Sequence, residues 1–382
     1  MAVSRAYDVA VVGLGAMGSQ AALELASRGR RVLGVDRHRP PHTLGSTHGR
    51  TRIIREAYFE EPLYVPIVQR AYELWRRLEE RSGARLLTVT GGLMLGAPDS
   101  EVVAGARASA VEHGLPFEEL SAREVRERFP AYAVPDGHEA IFEPRAGFLE
   151  PEAAVEATLA LAADAGAELR FDEPVRELDG TVLRTERAAY VADQVIVAAG
   201  PWLPELVPGL AGLFAVARQP LLWLAPQEPA LFAPERFPVF VWEWTPGWAF
   251  YGFPDVGDGF KVAVHHHGER TTPKTVDREL RTEDERTIRE LVRRYFPGGD
   301  GELREAAVCL YTNTPDEHFV IDRLPDDERV IVASPCSGHG FKFAPAIGEV
   351  LADLATGERQ RFDLTPFGLS RLAAAGPMSG PH

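Results

Sequence analysis

Apolar positions along this chain switch between the period of a strand and the period of a helix, and the switches set the order of elements. Residues 8–12, DVAVV, form a short apolar run of strand type that ends abruptly at Gly13, Gly15 and Gly18. Helical spacing follows, with Ala21, Ala22, Leu25 and Ala26 as its buried stripe, and a second apolar strand over residues 32–35 ends at Asp36. Strand, glycine turn, helix and strand make one βαβ unit of about thirty residues.

Further along, residues 62–82 read as an amphipathic helix with Val65, Val68, Ala71, Leu74, Trp75 and Leu78 on one face. A strand pattern over 86–95 closes with Gly91 and Gly92; a helix is predicted over 101–113, and a shorter one from the cap-like Ser121 to Pro130. A strand pair around Gly147 precedes an alanine-rich helix over 151–165, which with the strand at 167–171 makes a second α/β crossover. Residues 195–198 are a buried strand ending in Ala199 and Gly200. The β-branched and aromatic stretches 219–224 and 237–253 predict antiparallel strands of a second domain. Thr282 opens a charged helix with Glu285 at capping-box spacing, an amphipathic helix covers 344–355, and a loose tail begins at Ser370.

The glycines carry chemistry as well as geometry. Gly13 permits the tight turn, Gly15 lets a pyrophosphate approach the backbone without meeting a Cβ, and Gly18 lets the helix pack on the strand. The helix N-terminus offers unpaired N–H groups to phosphate, and Asp36 is placed to accept hydrogen bonds from ribose hydroxyls. The competing explanation is a glycine turn in an α/β protein that binds nothing. With strand, helix and acidic terminus all present the unit predicts dinucleotide binding, FAD and NAD being equally compatible with this stretch.

Length and charge narrow the class. A chain of 382 residues supports two domains with proper cores. Its formal charge of −15 argues against nucleic acid or an anionic membrane as partner. No apolar stretch approaches the roughly 20 residues of a membrane helix, and the N-terminus runs straight into the first strand, so a cytoplasmic protein is expected. Cys309 and Cys336 have no CxxC spacing. Three successive histidines, 265–267, suggest a metal, but strand alternation puts only His265 and His267 on one side and no carboxylate stands at ligand spacing; no metal is expected.

In an acidic protein, His48, Arg50, Arg52 and Arg55 crowd into eight residues directly after the nucleotide-binding unit. Their segment, GSTHGRTRIIREAY, resembles that of the monomeric sarcosine oxidase and N-methyltryptophan oxidase family, within the D-amino-acid-oxidase-like flavoproteins. Three later segments, GFKVAVH, LYTNTPDEHF and SGHGFKF, resemble the same family in the same order, the last two most specifically. Arg50 and Glu56 depart from the family pattern, which has an acidic residue and a histidine there.

The resemblance implies FAD, with His48 and Arg52 beside the flavin ring and Arg55 gripping the substrate carboxylate with help from Lys342. It implies that Lys261 meets the flavin through water and assists oxygen, and that Tyr251 and His265 line the substrate cavity. Cys309 would carry the flavin through an 8α thioether, with Cys336 the competitor. Gly338, Gly340 and Lys342 would meet the pyrimidine edge, and Arg37, Ser46, Thr51, Ala199, Gly200 and Trp202 complete the cofactor positions. Val241 and its neighbours are candidates for selecting substrate side-chain size.

The expected fold is α/β: a Rossmann-type FAD-binding domain from 1–85, 145–215 and 306–370, an inserted antiparallel-sheet substrate domain from 86–144 and 216–305, and a tail at 371–382. The expected function is a monomeric oxidase of secondary N-methyl amino acids, sarcosine first, giving an imine, then formaldehyde and glycine, with O2 reduced to H2O2. N-methyltryptophan, pipecolate and proline are alternative substrates. A flavin amine dehydrogenase is a more distant alternative, and a non-catalytic nucleotide-binding protein would have no reason to keep Arg55 and Lys342 together.

Overall fold

Strand Val3–Val12 lies inside an eight-stranded sheet, parallel to Ala189–Val197 on one side and to Val32–Val35 on the other. The structure, a computed structural model, describes residues 3–373. Glu168–Arg170 and Asp327–Ser334 extend the parallel run at its two ends. Both faces of the central strand are buried: Val9 and Val11 pack into one apolar cluster, Ala10 and Val12 into another. Helices Ala16–Ser27, Pro151–Asp164 and Ala344–Thr356 pack together over the first face, which is why the strand reads as continuously apolar.

A second, nine-stranded sheet stands over the carboxyl ends of the first. Its centre, Ala215–Leu224, Phe260–His265, Trp248–Phe253 and Val239–Thr245, is antiparallel as expected; Val239–Thr245 then pairs in parallel with Gly92–Gly96. Period-two alternation sorts the strand Phe260–His265. Phe260, Val262 and Val264 face an aromatic core with Phe237, Phe240, Trp242, Phe250 and Phe296, each ring contributing about 2–3 kcal/mol through burial. Lys261, Ala263 and His265 take the opposite face, toward the first sheet. A small third sheet, Arg52–Ile54, Gly147–Leu149 and Leu87–Val89, joins the two.

Four expectations change. The strand read over 86–95 is two: Gly91, at φ 73°, breaks it, and Leu87–Val89 and Gly92–Gly96 belong to different sheets. Strand Leu303–Asn313, expected in the FAD-binding unit from residue 306 on, pairs along its length with Ala215–Leu224 in the second sheet. In helix Thr282–Tyr295 the carboxylate that reaches back is Asp284, which accepts the Arg281 N–H at 2.9 Å, rather than Glu285. The tail starts docked: Ser370–Ala373 is helical, Leu372 is buried, and Arg371 pairs with Asp316 at 2.7 Å. Residues 374–382 of the expected tail lie outside the described residues.

Candidate active site

A cavity of about 290 Å³ runs from the glycine turn to the underside of the second sheet. At its first end Gly13 sits at φ 92°, and a Cβ there would lie 2.5 Å from the Ala198 oxygen. A Cβ on Gly18 would lie 1.7 Å from the Gly13 oxygen. One on Gly15 would meet nothing closer than Thr47 Oγ1 at 3.5 Å, so the space over Gly15 is open cavity. Helix Ala16–Ser27 begins there with no side-chain cap and no acidic residue in its first turn, leaving its N–H groups free for an anion.

Asp36 lines the same end; its carboxylate accepts the backbone N–H groups of Leu14 (2.6 Å) and His38 (2.9 Å). Arg37 lies over the Trp202 ring at 5.1 Å, and Ala199, Gly200 and Trp202 form the facing wall. Ser46 and Thr312 also line the cavity, and their buried hydroxyls have no hydrogen-bond partner among the described residues. Open glycine, uncapped helix and waiting hydroxyls together fit a bound dinucleotide.

The basic loop folds over the middle of the cavity around two basic side chains, Arg52 and Lys261. Arg52 donates to the carbonyls of Thr51 (2.9 Å), Ser46 (3.0 Å) and His48. Lys261 is 2 % exposed and donates to Gly49 O (2.6 Å), Thr51 O (2.8 Å) and Thr51 Oγ1 (3.1 Å), beneath the rings of Phe253 and Trp223. Burial, and then the neighbouring Arg52 charge, push the Lys261 ammonium well below the usual lysine range. His48 is driven down to about 4 by burial and then Arg52, so it is neutral at pH 7. Arg52 and Ser46 reach the cavity wall; Lys261, Thr51 and His48 stand directly behind it. Arg50 turns outward to Asp258 (2.9 Å) and Glu305.

At the far end Arg55 and Lys342 both line the cavity and both pack on Tyr58. The Arg55 guanidinium lies 4.3 Å from that ring, while Lys342 Nζ is 5.1 Å from it and 3.5 Å from its hydroxyl. Lys342 also donates to His339 O at 2.7 Å; burial, then Arg55, bring its ammonium down to about 7. Tyr251 and His265 form the roof, with Tyr311 between them: His265 Nδ1 and the Tyr251 hydroxyl lie 3.3 and 3.5 Å from the Tyr311 hydroxyl. Burial holds both phenols above their usual range and His265 well below its own, so all three are neutral near pH 7.

Both cysteines line the cavity at different walls. Cys309 Sγ lies 3.4 Å from Arg52 Nη2 and 3.5 Å from Ser46 O. Cys336 stands in the turn with Gly338 and Gly340, and burial pushes its thiol up to about 11. Gly338, at φ 77°, lies against the Tyr311 ring. Val241 lines the substrate end beside Ile53 and Phe59.

Two carboxylates at the site escaped the sequence reading. Glu60 lines the cavity and accepts from Arg55 Nη2 with both oxygens, at 2.6 and 2.7 Å. Glu152 binds the backbone of the basic loop from helix Pro151–Asp164. The first stands in REAYFEEP, where an acidic run reads as solvated loop; the second is one of many acidic residues in a helix first turn.

A dinucleotide cradle that opens directly onto buried cations under a roof of antiparallel strands belongs to a flavin-dependent oxidoreductase. Residues 8–354 match the family described as DAO, FAD dependent oxidoreductase, and the chain belongs to it as a flavin-dependent amine oxidase. It is 42% identical over 382 residues to the monomeric sarcosine oxidase of Streptomyces avermitilis, covering 98% of this chain and 100% of that one. It is 37% identical over 373 residues to the N-methyl-L-tryptophan oxidase of Salmonella heidelberg, covering 96% and 99%. Among solved structures, NikD, an unusual amino acid oxidase essential for nikkomycin biosynthesis, superposes with TM-score 0.83 at 26% identity, covering 99% of this chain and 100% of that chain. L-proline dehydrogenase from P. horikoshii shares the fold with TM-score 0.85 at 21% identity, covering 98% and 100%. Among the described residues no helix is long and apolar enough to cross a membrane.

Proposed function

We propose that this chain oxidises the C–N bond of a small secondary amino acid, sarcosine first, and passes the electrons to O2. The observation that carries the reading is the pairing of Arg55 and Lys342, both packed on the Tyr58 ring, in a cavity that continues to the glycine cradle. Two cations fix a carboxylate by charge-assisted hydrogen bonds, which places the amine nitrogen and its carbons under Tyr251 and His265. FAD bound here supplies the two-electron oxidation; the imine product is hydrolysed to formaldehyde and glycine, and O2 leaves as H2O2.

The chain's own groups set the protonation of the substrate. The roof is neutral and Arg55 is paired with Glu60, so the charges of Arg52 and Lys342 are left to disfavour a further cation and hold the substrate amine as the neutral base that can be oxidised. Lys261, a cation behind the loop, is assigned to the oxygen step, where negative charge develops. Cys309 is assigned as the 8α attachment point, because Arg52 donates to its sulfur. The FAD-binding unit is drawn from 1–85, 145–215 and 306–370, with strand Leu303–Asn313 shared with the roof, and the reading extends to a monomeric, cytoplasmic enzyme. Sequence identity to both relatives above 35% supports an N-methyl amino acid and leaves bulkier N-methyl or cyclic amines as the next substrates to try.

One observation favours a second reading. All three Lys261 protons are donated to protein acceptors, a geometry equally at home in a dehydrogenase that avoids oxygen. The visible spectrum decides, by titration with sarcosine under nitrogen and then exposure to air. The oxidase is expected to bleach, then regain colour with stoichiometric peroxide. Bleaching without recovery in air establishes the dehydrogenase, and no bleaching with any secondary amino acid removes both readings.

A further inference from the structure

Glu152 stands at the second position of helix Pro151–Asp164, and its carboxylate is bonded entirely to the backbone of the basic loop. Oε1 accepts the N–H of Gly49 at 2.6 Å and that of Arg50 at 3.1 Å, and Oε2 accepts the Arg50 N–H at 3.1 Å. Gly49 and Arg50 are successive left-handed residues, φ 98° and 66°. A non-glycine residue in that conformation costs about 1 kcal/mol or more, so the loop keeps this shape only where something outside it holds it.

The other ends of the same peptide groups reach the buried cations. In the Gly49–Arg50 peptide the N–H goes to Glu152 and the carbonyl accepts Lys261 Nζ at 2.6 Å. In the His48–Gly49 peptide the N–H goes to Glu152 and the carbonyl accepts Arg52 Nη2. Each peptide therefore lies between an anion and a cation with its dipole aligned to both, an arrangement in which each hydrogen bond strengthens the next. Arg50, Arg52, His48 and Cys309 are the other titratable or charged groups around Lys261, and among these neighbours Glu152 is the carboxylate. Its field favours the charged form of Lys261, His48 and Arg52 alike.

We propose that Glu152 is a positioning residue for Lys261, acting through the peptide groups at 48–50 rather than by contact with substrate or flavin. It fixes the Gly49 carbonyl that accepts from the amine and supplies the counter-charge for it. The inference rests on the assignment of Lys261 to the oxygen step.

Glu152→Gln, Glu152→Asp and Lys261→Met holoenzymes test it. Each is reduced with dithionite, so that substrate identity plays no part, and mixed with oxygenated buffer in stopped flow across pH 6–10. Lys261→Met is expected to slow reoxidation strongly. Glu152→Gln is expected to move the descending limb of the pH profile by about one unit to lower pH, so that on that limb it reacts about tenfold more slowly than wild type. Glu152→Asp keeps the charge and is expected to keep that limb close to wild type. Hydrogen exchange, read independently of turnover, is expected to speed up at the Gly49 and Arg50 amides in Glu152→Gln. Normal reoxidation in Lys261→Met overturns the assignment on which the proposal rests. Slow reoxidation in Lys261→Met with a wild-type rate and pH profile in Glu152→Gln overturns the proposal alone. Equal shifts in the Gln and Asp variants overturn the charge role, and unchanged exchange overturns the positioning.

Discussion

Glu60 holds Arg55: both carboxylate oxygens lie within 2.7 Å of one guanidinium nitrogen, and Arg55 is 3 % exposed. A substrate carboxylate that uses Arg55 therefore competes with Glu60 for it. A buried hydrogen bond between charged groups contributes about 1.5–3 kcal/mol, and the incoming ligand has to overcome it. Glu60→Gln is expected to bind an unreactive carboxylic acid about tenfold more tightly, read from the shift it produces in the flavin spectrum. The free variant is expected to melt at lower temperature, because Arg55 is left buried and unpaired, and to recover when the acid is added. Unchanged or weaker binding would show that the carboxylate lies elsewhere.

Lys342 gives the carboxylate site a pH dependence with a definite sign. Its ammonium is brought down to about 7 by burial and then by Arg55, from an ordinary value of 10.5. Above pH 7 the free protein holds a neutral amine, which must take up a proton to bind an anion. Affinity for the unreactive acid is expected to fall by up to tenfold per pH unit above 7, and Lys342→Met is expected to bind weakly with a flat profile. Stability follows the depressed-value case: the folded form disfavours the charge, the penalty is complete below pH 7, and it fades as pH rises toward 10.5. Lys342→Met should therefore be more stable than wild type at pH 6, with the difference closing at high pH. A difference that grows with pH would refute the assignment.

Much of this was legible in the chain, and what was missed shares a cause. Gly13, Gly15, Gly18 and Asp36 could be read because a βαβ unit is specified within thirty residues. The roof strand Phe260–His265 shows its faces by alternation alone. Glu152 could not be read, because its partners are the N–H groups of Gly49 and Arg50, about a hundred positions away, in a left-handed conformation that side chains do not announce. Glu60 looks like any carboxylate in an acidic loop until Arg55 is seen folded back onto it. Strand Leu303–Asn313 belongs to the roof through its pairing with Ala215–Leu224, a register fixed by contacts across ninety residues. Gly91 carries a break that the apolar pattern on either side conceals.

The two cysteines differ in the charge that surrounds them. Cys336, held at about 11, is thiolate in only about one molecule in ten thousand at pH 7, and a thiol is a poor nucleophile. Cys309 has the Arg52 guanidinium at 3.4 Å, which stabilises negative charge developing on sulfur. After acid precipitation, wild type and Cys336→Ser are expected to retain yellow colour in the pellet, while Cys309→Ser releases all of it. Colour lost from Cys336→Ser instead would reverse the assignment, and colour lost from wild type would show that the flavin is held without a covalent bond.

The glycine cradle makes a prediction that separates folding from cofactor binding. At Gly18 an added Cβ would stand 1.7 Å from the Gly13 carbonyl, backbone against backbone, so the helix must move off the sheet. Overpacking of that severity costs about 1–3 kcal/mol or more, and Gly18→Ala is expected to have a lower melting temperature whether or not flavin is present. At Gly15 the backbone is at φ −69°, a value alanine adopts without strain, and the new methyl group would enter the cavity with its nearest neighbour at 3.5 Å. Gly15→Ala expressed without flavin should therefore melt with the flavin-free wild type, yet take up little FAD when it is supplied, because the methyl group occupies the position where the pyrophosphate must approach the helix N-terminus. Ultracentrifugation or filtration with added FAD gives the binding, and calorimetry gives the stability. Full uptake of FAD by Gly15→Ala would place the pyrophosphate away from this turn; a melting temperature as low as that of Gly18→Ala would mean that Gly15 serves the fold rather than the cofactor.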